Sequence, residues 1–280
     1  GRSQTKREYK TSDEGSFTSG KLVILVDESS ASASEIVSGA VQDWDRGVIV
    51  GRRSYGKGLV QESFILKDRS AIRLTIARYY TPTGRSIQKP YDQGYDEYET
   101  EIDHRFSSGE LDNPDSIKKN EKLAYKTPSG RKVYGGGGIY PDVFVPLDSA
   151  LHNQLATTVF RNGFISRLAY NYVDRHRKRL KKLGSLETFS KQFSFEGELK
   201  AGLEKLLADS KITYTGDEFK GALPLFASQT KALIARQVYG KNAYYQVLNE
   251  TDNTFEMALE SLKDYEAILK GESSLAWYNK

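Results

Sequence analysis

The sequence predicts an α/β core followed by an α-helical C-terminal region, and three observations carry that expectation. The apolar run Leu22-Val23-Ile24-Leu25-Val26 stops at Asp27-Glu28, and Ile36, Val37, Ala40, Val41 and Trp44 then recur at helical spacing. Further strand-like segments lie at Val48-Ile49-Val50, from Leu59 to Leu66, and over 72–77, where Ile72, Leu74 and Ile76 alternate with Arg73, Thr75 and Ala77. From Leu147 onward the pattern turns to that of amphipathic helices.

Taken in order, residues 1–20 are a polar lead-in containing Arg2, Lys6, Arg7 and Lys10, which reads as the end of something longer. Residues 21–146 form the α/β core. Its opening is strand, tight turn, helix, and strands separated by one helix predict a partly parallel sheet. The alternation over 72–77 is that of a half-buried strand. Residues 89–132 hold Tyr91, Asp92, Glu97, Glu99, Glu101 and Asp103 and then a polar run, without a sustained period, and are expected to be an insertion or flexible loop. Gly135 to Gly138 permit tight turns before the short strand Val143-Phe144-Val145. Residues 147–280 make a helical domain, with one stripe at Leu151, Leu155, Val159, Phe164, Leu168 and Tyr172 and another at Phe255, Ala258, Leu259, Leu262 and Leu269.

Composition narrows the chemistry. With 280 residues, 38% hydrophobic and 28% charged, the chain is long enough for about two domains of an ordinary globular protein. No apolar stretch approaches the ~20 residues of a membrane span. A net charge of +4 is too weak to argue for nucleic acid. Zero cysteine removes disulfides, thiol nucleophiles and thiolate metal sites together, and the three histidines, His104, His152 and His176, are too dispersed for a metal site. No metal and no cofactor is expected.

The run Ser29-Ser30-Ala31-Ser32-Ala33-Ser34-Glu35 falls where the first helical N–H groups face outward, which is a favourable place to stabilise an oxyanion. With no histidine near it, the lone Lys57 of Tyr55-Gly56-Lys57-Gly58 is the candidate base. A second reading of Ser32-x-x-Glu35 is a capping box, one of the commonest helix starts.

The longer string favours chemistry. Ser30 to Ile36, then Gln42-Asp43, then Gly56-Lys57-Gly58-Leu59-Val60-Gln61, then Ala77 to Gln88, and later Gly138-Ile139-Tyr140-Pro141-Asp142, closely resemble the carboxyl-terminal processing (tail-specific) serine peptidases. The resemblance covers residues 21–146 and implies a crotonase/ClpP-like peptidase core, present in part. It implies Ser32 as nucleophile, Lys57 as general base and Gln61 as the residue that orients the lysine. The backbone N–H of Ala33 is then the oxyanion donor. Lys57 and Gln61, four apart on what reads as one strand, project from one face, and the flanking glycines are expected to shield the lysine. Asp43 matches a recurring family acid but lies roughly 16 Å along a continuous helix from Ser32, so it is expected to be structural and to pair with Arg46 or Arg52. Glu35 reads as a cap.

The resemblance further implies protein or peptide substrates cut near their C-termini, no cofactor, and a periplasmic or cell-envelope location. In that family a recognition (PDZ) domain and a glycine-containing segment offering a second oxyanion N–H come before the nucleophile. Neither is visible here, so the chain is expected to be a fragment with little or no activity by itself, open to forming a homodimer over its exposed face.

Other readings compete. Gly51-Arg52-Arg53-Ser54-Tyr55-Gly56-Lys57 fits a phosphate-binding loop except that Gly58 stands where Ser or Thr must hold magnesium, and strand formers follow where a helix is required. The cluster Arg175, Arg177, Lys178, Arg179, Lys181 and Lys182 reads as a solvated helix end closed by Gly184, with an acidic partner as the alternative. From other functional classes, a binding or scaffolding role has a helical region that docks a partner, and acyl transfer on a related fold predicts an acyl carrier.

Overall fold

The computed structural model describes residues 12, 13, 15–92 and 94–276; Arg2, Lys6, Arg7 and Lys10 of the lead-in lie outside the described residues. The elements run β1 (Val23–Val26), α1 (Ala33–Asp43), β2 (Val48–Gly51), β3 (Leu59–Ile65), β4 (Ala71–Arg78), α2 (Tyr95–Ser107), β5 (Ala124–Lys126), β6 (Lys132–Tyr134) and β7 (Val143–Phe144). The helices α3 (Gln154–Arg161), α4 (Phe164–Lys181), α5 (Leu186–Gln192), α6 (Glu196–Asp209), α7 (Gly216–Tyr239), α8 (Lys241–Leu248), α9 (Asn253–Lys263) and α10 (Tyr265–Lys270) follow. The chain divides into two units, one made of 1–146 and 254–280, the other of 147–253.

The first unit is built on a parallel three-stranded sheet in the order β1-β2-β7, with Val23 opposite Val48 and Val50 opposite Val143. Its side chains alternate between two faces, as the period of two requires. On one face Val26 and Ile49 pack with Ile87, Ile139, Ile24 and Val41 of α1. On the other Val48, Val50, Val143 and Val145 pack with Tyr265 and Ile268, supported by Met257, Leu262 and Leu269. The sheet is thus sandwiched by α1 and by α9–α10. That corrects the expectation of one helical domain over 147–280: the last stripe is apolar because it covers the second face of the sheet. Tyr265 ties it down, its hydroxyl donating to Arg46 O at 2.9 Å and accepting from Leu22 N–H at 3.2 Å. Gly51 is demanded by close packing, since a Cβ there would stand 1.9 Å from Val26 O.

Residues 89–132 also differ from expectation. They include α2, and a buried charge network docks them: Glu110 accepts from Arg53 Nε at 2.6 Å and from Arg105 Nε at 2.8 Å, and Glu101 pairs with Arg53 at 3.1 Å and with Lys89 at 3.4 Å. The Lys89 ammonium sits 4.0 Å from the Tyr55 ring centre and 4.2 Å from that of Tyr98. Polar composition here marks paired burial and not a loop.

β3 and β4 form a separate antiparallel ribbon with a bulge beside Val60 and Gln61. Ile72 and Leu74, expected to be half buried, are 45% and 51% exposed, and Phe64, Ile65 and Leu66 are exposed as well. Alternation fixes which side chains share a face but not whether anything covers it. Limited trypsin digestion is therefore expected to cut first at Lys67 or Arg69, at the exposed tip of this ribbon, before any site in 89–132. Mass mapping that places the first cuts inside 89–132 would contradict the packing of α2.

The second unit is helical around a core that includes Val159, Ala169, Phe189, Leu203, Phe226 and Ile234. Its helices start where the side chains can cap them. Asn153 accepts from Ala156 N–H, Ser185 from Thr188 N–H, and Thr215 exchanges bonds with Glu218 in a capping box.

Candidate active site

The serine run and the lysine loop leave the carboxyl ends of the adjacent parallel strands β1 and β2, the edge at which open α/β sheets place their ligands. Asp27 closes the first turn by accepting from Ser29 N–H at 3.0 Å and from Ser30 Oγ at 2.9 Å. The chain then enters α1 through Ser32, whose backbone sits at φ +58°, ψ −116°.

That conformation is the mirror image of an extended one, open to glycine and strained for any other residue, at a cost of order 1–3 kcal/mol. Among the described residues four others than glycine have positive φ: Ser32, Asp45, Arg69 and Lys211. Asp45 and Lys211 follow helix ends and Arg69 turns the ribbon, whereas Ser32 stands at a helix start, where a capping serine is normally extended. Ser32, Ala33 and Ser34 are exposed, and Ala33 N–H makes no hydrogen bond among the described residues.

Glu35 joins the two segments. Fully buried, its Oε2 accepts from Ser32 N–H at 2.9 Å and from Lys57 N–H at 2.8 Å, so one oxygen holds the backbones of both candidate catalytic residues. Its Oε1 accepts from Gly56 N–H at 2.7 Å and from the Ser54 hydroxyl. Tyr55 N–H donates to Ser30 O at 2.9 Å alongside. Gly56, at φ +89°, lets the loop pass within contact of Lys89 and Gly138. The sequence signals the half of this arrangement that caps α1; the bonds to residues 54–57 span about twenty positions and have no local signature. Glu35→Ala leaves three N–H groups and a hydroxyl unsatisfied in a buried place, and is expected to lower stability by roughly 3 kcal/mol or more. Urea unfolding checks this, and a change within about 0.5 kcal/mol of the parent would refute the brace.

The other expected residues fall differently. Lys57 is exposed: Gly56 and Gly58 are buried, yet they pack the backbone without shielding the side chain. It lies two residues before β3 begins, and Gln61 is exposed on that ribbon opposite Thr75. Neither Lys57 Nζ nor the Gln61 amide makes a hydrogen bond among the described residues, so the structure brings Ser32 and Lys57 together through Glu35 and leaves Gln61 apart. Asp43 pairs with neither Arg46 nor Arg52. Its Oδ1 accepts from Arg85 Nε at 3.0 Å and Nη2 at 2.7 Å, both side chains being fully buried, and its Oδ2 accepts from Thr83. Arg52 pairs with Glu28 at 2.6 Å, and Arg46 bonds the carbonyls of Gly20 and Phe17.

Comparison with known proteins finds matches to part of the chain. Over residues 1–95 the sequence matches the model of peptidase family S41. That match covers about a third of the chain. The sequence is 52% identical over 75 residues to the carboxy-terminal-processing protease of Bartonella bacilliformis, a stretch that is 26% of this chain and 17% of that protein. It is 46% identical over 88 residues to the chloroplastic C-terminal processing peptidase of Tetradesmus obliquus, 31% of this chain and 19% of that one. The chain therefore spans less than a fifth of the length of these curated relatives. A solved photosystem II D1 C-terminal processing protease shares 48% identity over 24% of this chain and 18% of its own, with a TM-score of 0.24. Beyond the S41 segment, residues 155–240 match a family of unknown function (DUF8443).

Proposed function

We propose that the chain carries a serine peptidase centre with Ser32 as nucleophile and Lys57 as general base, acting on protein substrates near their C-termini. The observation that carries this reading is the strained backbone of an exposed serine at a helix start, joined by one buried carboxylate to the lysine loop. In the reaction neutral Lys57 takes the Ser32 hydroxyl proton as Oγ attacks the peptide carbonyl, and Ala33 N–H donates to the oxyanion. Protonated Lys57 then gives its proton to the leaving amine. A water, deprotonated by Lys57, hydrolyses the acyl ester and frees Ser32. The α1 N-terminus adds its positive dipole end at the oxyanion.

Gln61 belongs to this reading as the lysine's orienting residue only once substrate or another surface draws the ribbon in. The crotonase/ClpP-like arrangement, a periplasmic or cell-envelope location and a homodimer belong to the same reading. A neutral lysine needs desolvation, and Lys57 is open to water in this structure. The chain by itself is therefore expected to turn over slowly, about 10²-fold or more below the ~10⁴ M⁻¹ s⁻¹ at the low end for working enzymes. That same exposure favours the second reading, a binding or scaffolding role. Labelling with a fluorophosphonate separates the two: modification at Ser32, mapped by mass and absent in Ser32→Ala, supports the peptidase, and labelling elsewhere with Ser32 untouched ends it.

A further inference from the structure

The second unit carries the chain's positive charge. Residues 147–253 hold 16 Lys and Arg against 11 Asp and Glu, a net +5 where the whole chain carries +4. The charge is concentrated on α4. Arg175 lies eight residues after Arg167, and Lys178 and Arg179 lie three and four after Arg175. Lys182, at the end of the helix, lies four and three after those two, so the five share one side of the helix as a ridge. None of the five pairs with a carboxylate among the described residues, the only bond being from Arg175 Nε to Asn171 O at 3.1 Å. The nearest acid on the helix, Asp174, pairs instead with Arg177 at 3.4 Å.

This ridge borders a groove of about 730 Å³ between α4 and α6, within the roughly 300–1,000 Å³ of ligand sites. Its floor is apolar, formed by Leu168, Tyr172, Phe195, Leu199 and Leu206. Gly202 lets the Leu168 side chain pack close against α6, since a Cβ there would stand 2.7 Å from it. The rims differ in charge. The α4 rim has Arg167 and Arg175 with Asp174 beside them, the last paired with Arg177, and the α6 rim has Glu198 and Asp209 with Lys205 between them. An occupant that satisfies both floor and rims is apolar underneath and acidic on one flank.

We propose that this groove docks an amphipathic peptide segment of a protein partner, its apolar face on the floor and its carboxylates along the α4 ridge. Binding of this kind uses helix-in-groove packing for affinity and the charged rim for orientation. The ordinary role of cations at a helix C-terminus accounts for Lys178 to Lys182. It does not account for Arg167 and Arg175, which stand beside the groove one and three turns into the helix.

The test uses the whole chain carrying Ser32→Ala, so that no peptide is cut and the result is independent of the peptidase reading. A fluorescein-labelled 14-residue peptide with leucines at helical spacing and glutamates elsewhere is titrated by anisotropy, beside the same peptide with lysines for glutamates and beside phosphatidylglycerol vesicles. Binding of the acidic peptide is expected, weakened roughly tenfold by Arg167→Glu with Arg175→Glu and by Ala201→Trp, which fills the groove from an exposed position on α6. Circular dichroism verifies that each variant is folded, and if Ala201→Trp is not, the charge-reversal pair decides. Equal binding of both peptides, no binding of the acidic one, insensitivity to the variants, or binding to vesicles alone would each overturn the proposal.

Discussion

On the proposed chemistry, Ser32→Ala and Lys57→Ala are each expected to bring hydrolysis of an unstructured peptide to background, and Ser32→Gly is expected to do the same while raising stability. The first two follow from the proposed chemistry: without Oγ no acyl ester forms, and without the amine the proposed base is gone, while the buried Glu35 carboxylate is already committed to four donors. The glycine variant tests the backbone. At φ +58°, ψ −116° an L-residue is strained and glycine is not. Ser32→Gly is therefore expected to melt about 2–4 °C above Ser32→Ala, the shift that ~1 kcal/mol produces in a chain of this size. A scanning calorimeter and a mass-detected peptide assay suffice. Residual turnover in Ser32→Ala protein free of host peptidases would remove Ser32 from the reaction. A glycine variant no more stable than the alanine would mean the turn holds no strain, and the case for a preorganised nucleophile would go with it.

Which features the sequence announces follows from the range over which each is determined. The strand, turn and helix of residues 23–43 rest on local periodicity, and the serine run at their junction is visible because a turn between those elements has to fall there. Alternation over 72–77 gives a strand correctly but says nothing of the surface it meets, and the structure leaves it open to solvent. Residues 89–132 look like a loop because they are polar and lack a sustained period, yet Arg105, Glu110 and Arg131 are buried there. Charges can be buried only when paired, and the partners Arg53 of Glu110 and Asp45 of Arg131 lie far away in sequence. Asp43 illustrates the same limit: two arginines stood close in sequence, but the one that satisfies it is Arg85. The helical stripe beyond residue 254 was equally visible, whereas the apolar face it covers, that of β2 and β7, could come only from the folded chain.

The Asp43–Arg85 pair should give the largest loss of stability of any single change outside the serine and lysine segments. Arg85 is fully buried and spends its donors on Asp43 Oδ1, on Gln42 Oε1 at 2.8 Å and on Tyr134 O at 2.7 Å. Asp43→Ala leaves that guanidinium without its counter-charge in the interior, which costs about 3–5 kcal/mol. Replacing both partners, as Asp43→Leu with Arg85→Met, removes the desolvation of two ions together and is expected to recover a good part of the loss. Acid acts on the same pair. Burial pushes the Asp43 carboxyl up, but Arg85 and the Thr81 and Thr83 hydroxyls outweigh it and hold it below its ordinary 3.8. A depressed carboxylate contributes stability above its unfolded value and loses it as pH falls through the folded one, so this contribution disappears below about pH 4. Asp142 works in the opposite sense: burial raises its carboxyl despite Arg131 and the Ile49 N–H, so its protonation eases the fold on the acid side. The stability lost between pH 5 and pH 3 should therefore shrink in the Leu/Met double variant, which keeps Asp142 and lacks Asp43. Urea midpoints at the two pH values measure it, and an acid loss equal to the parent's would show that Asp43 is not the group whose protonation loosens this core.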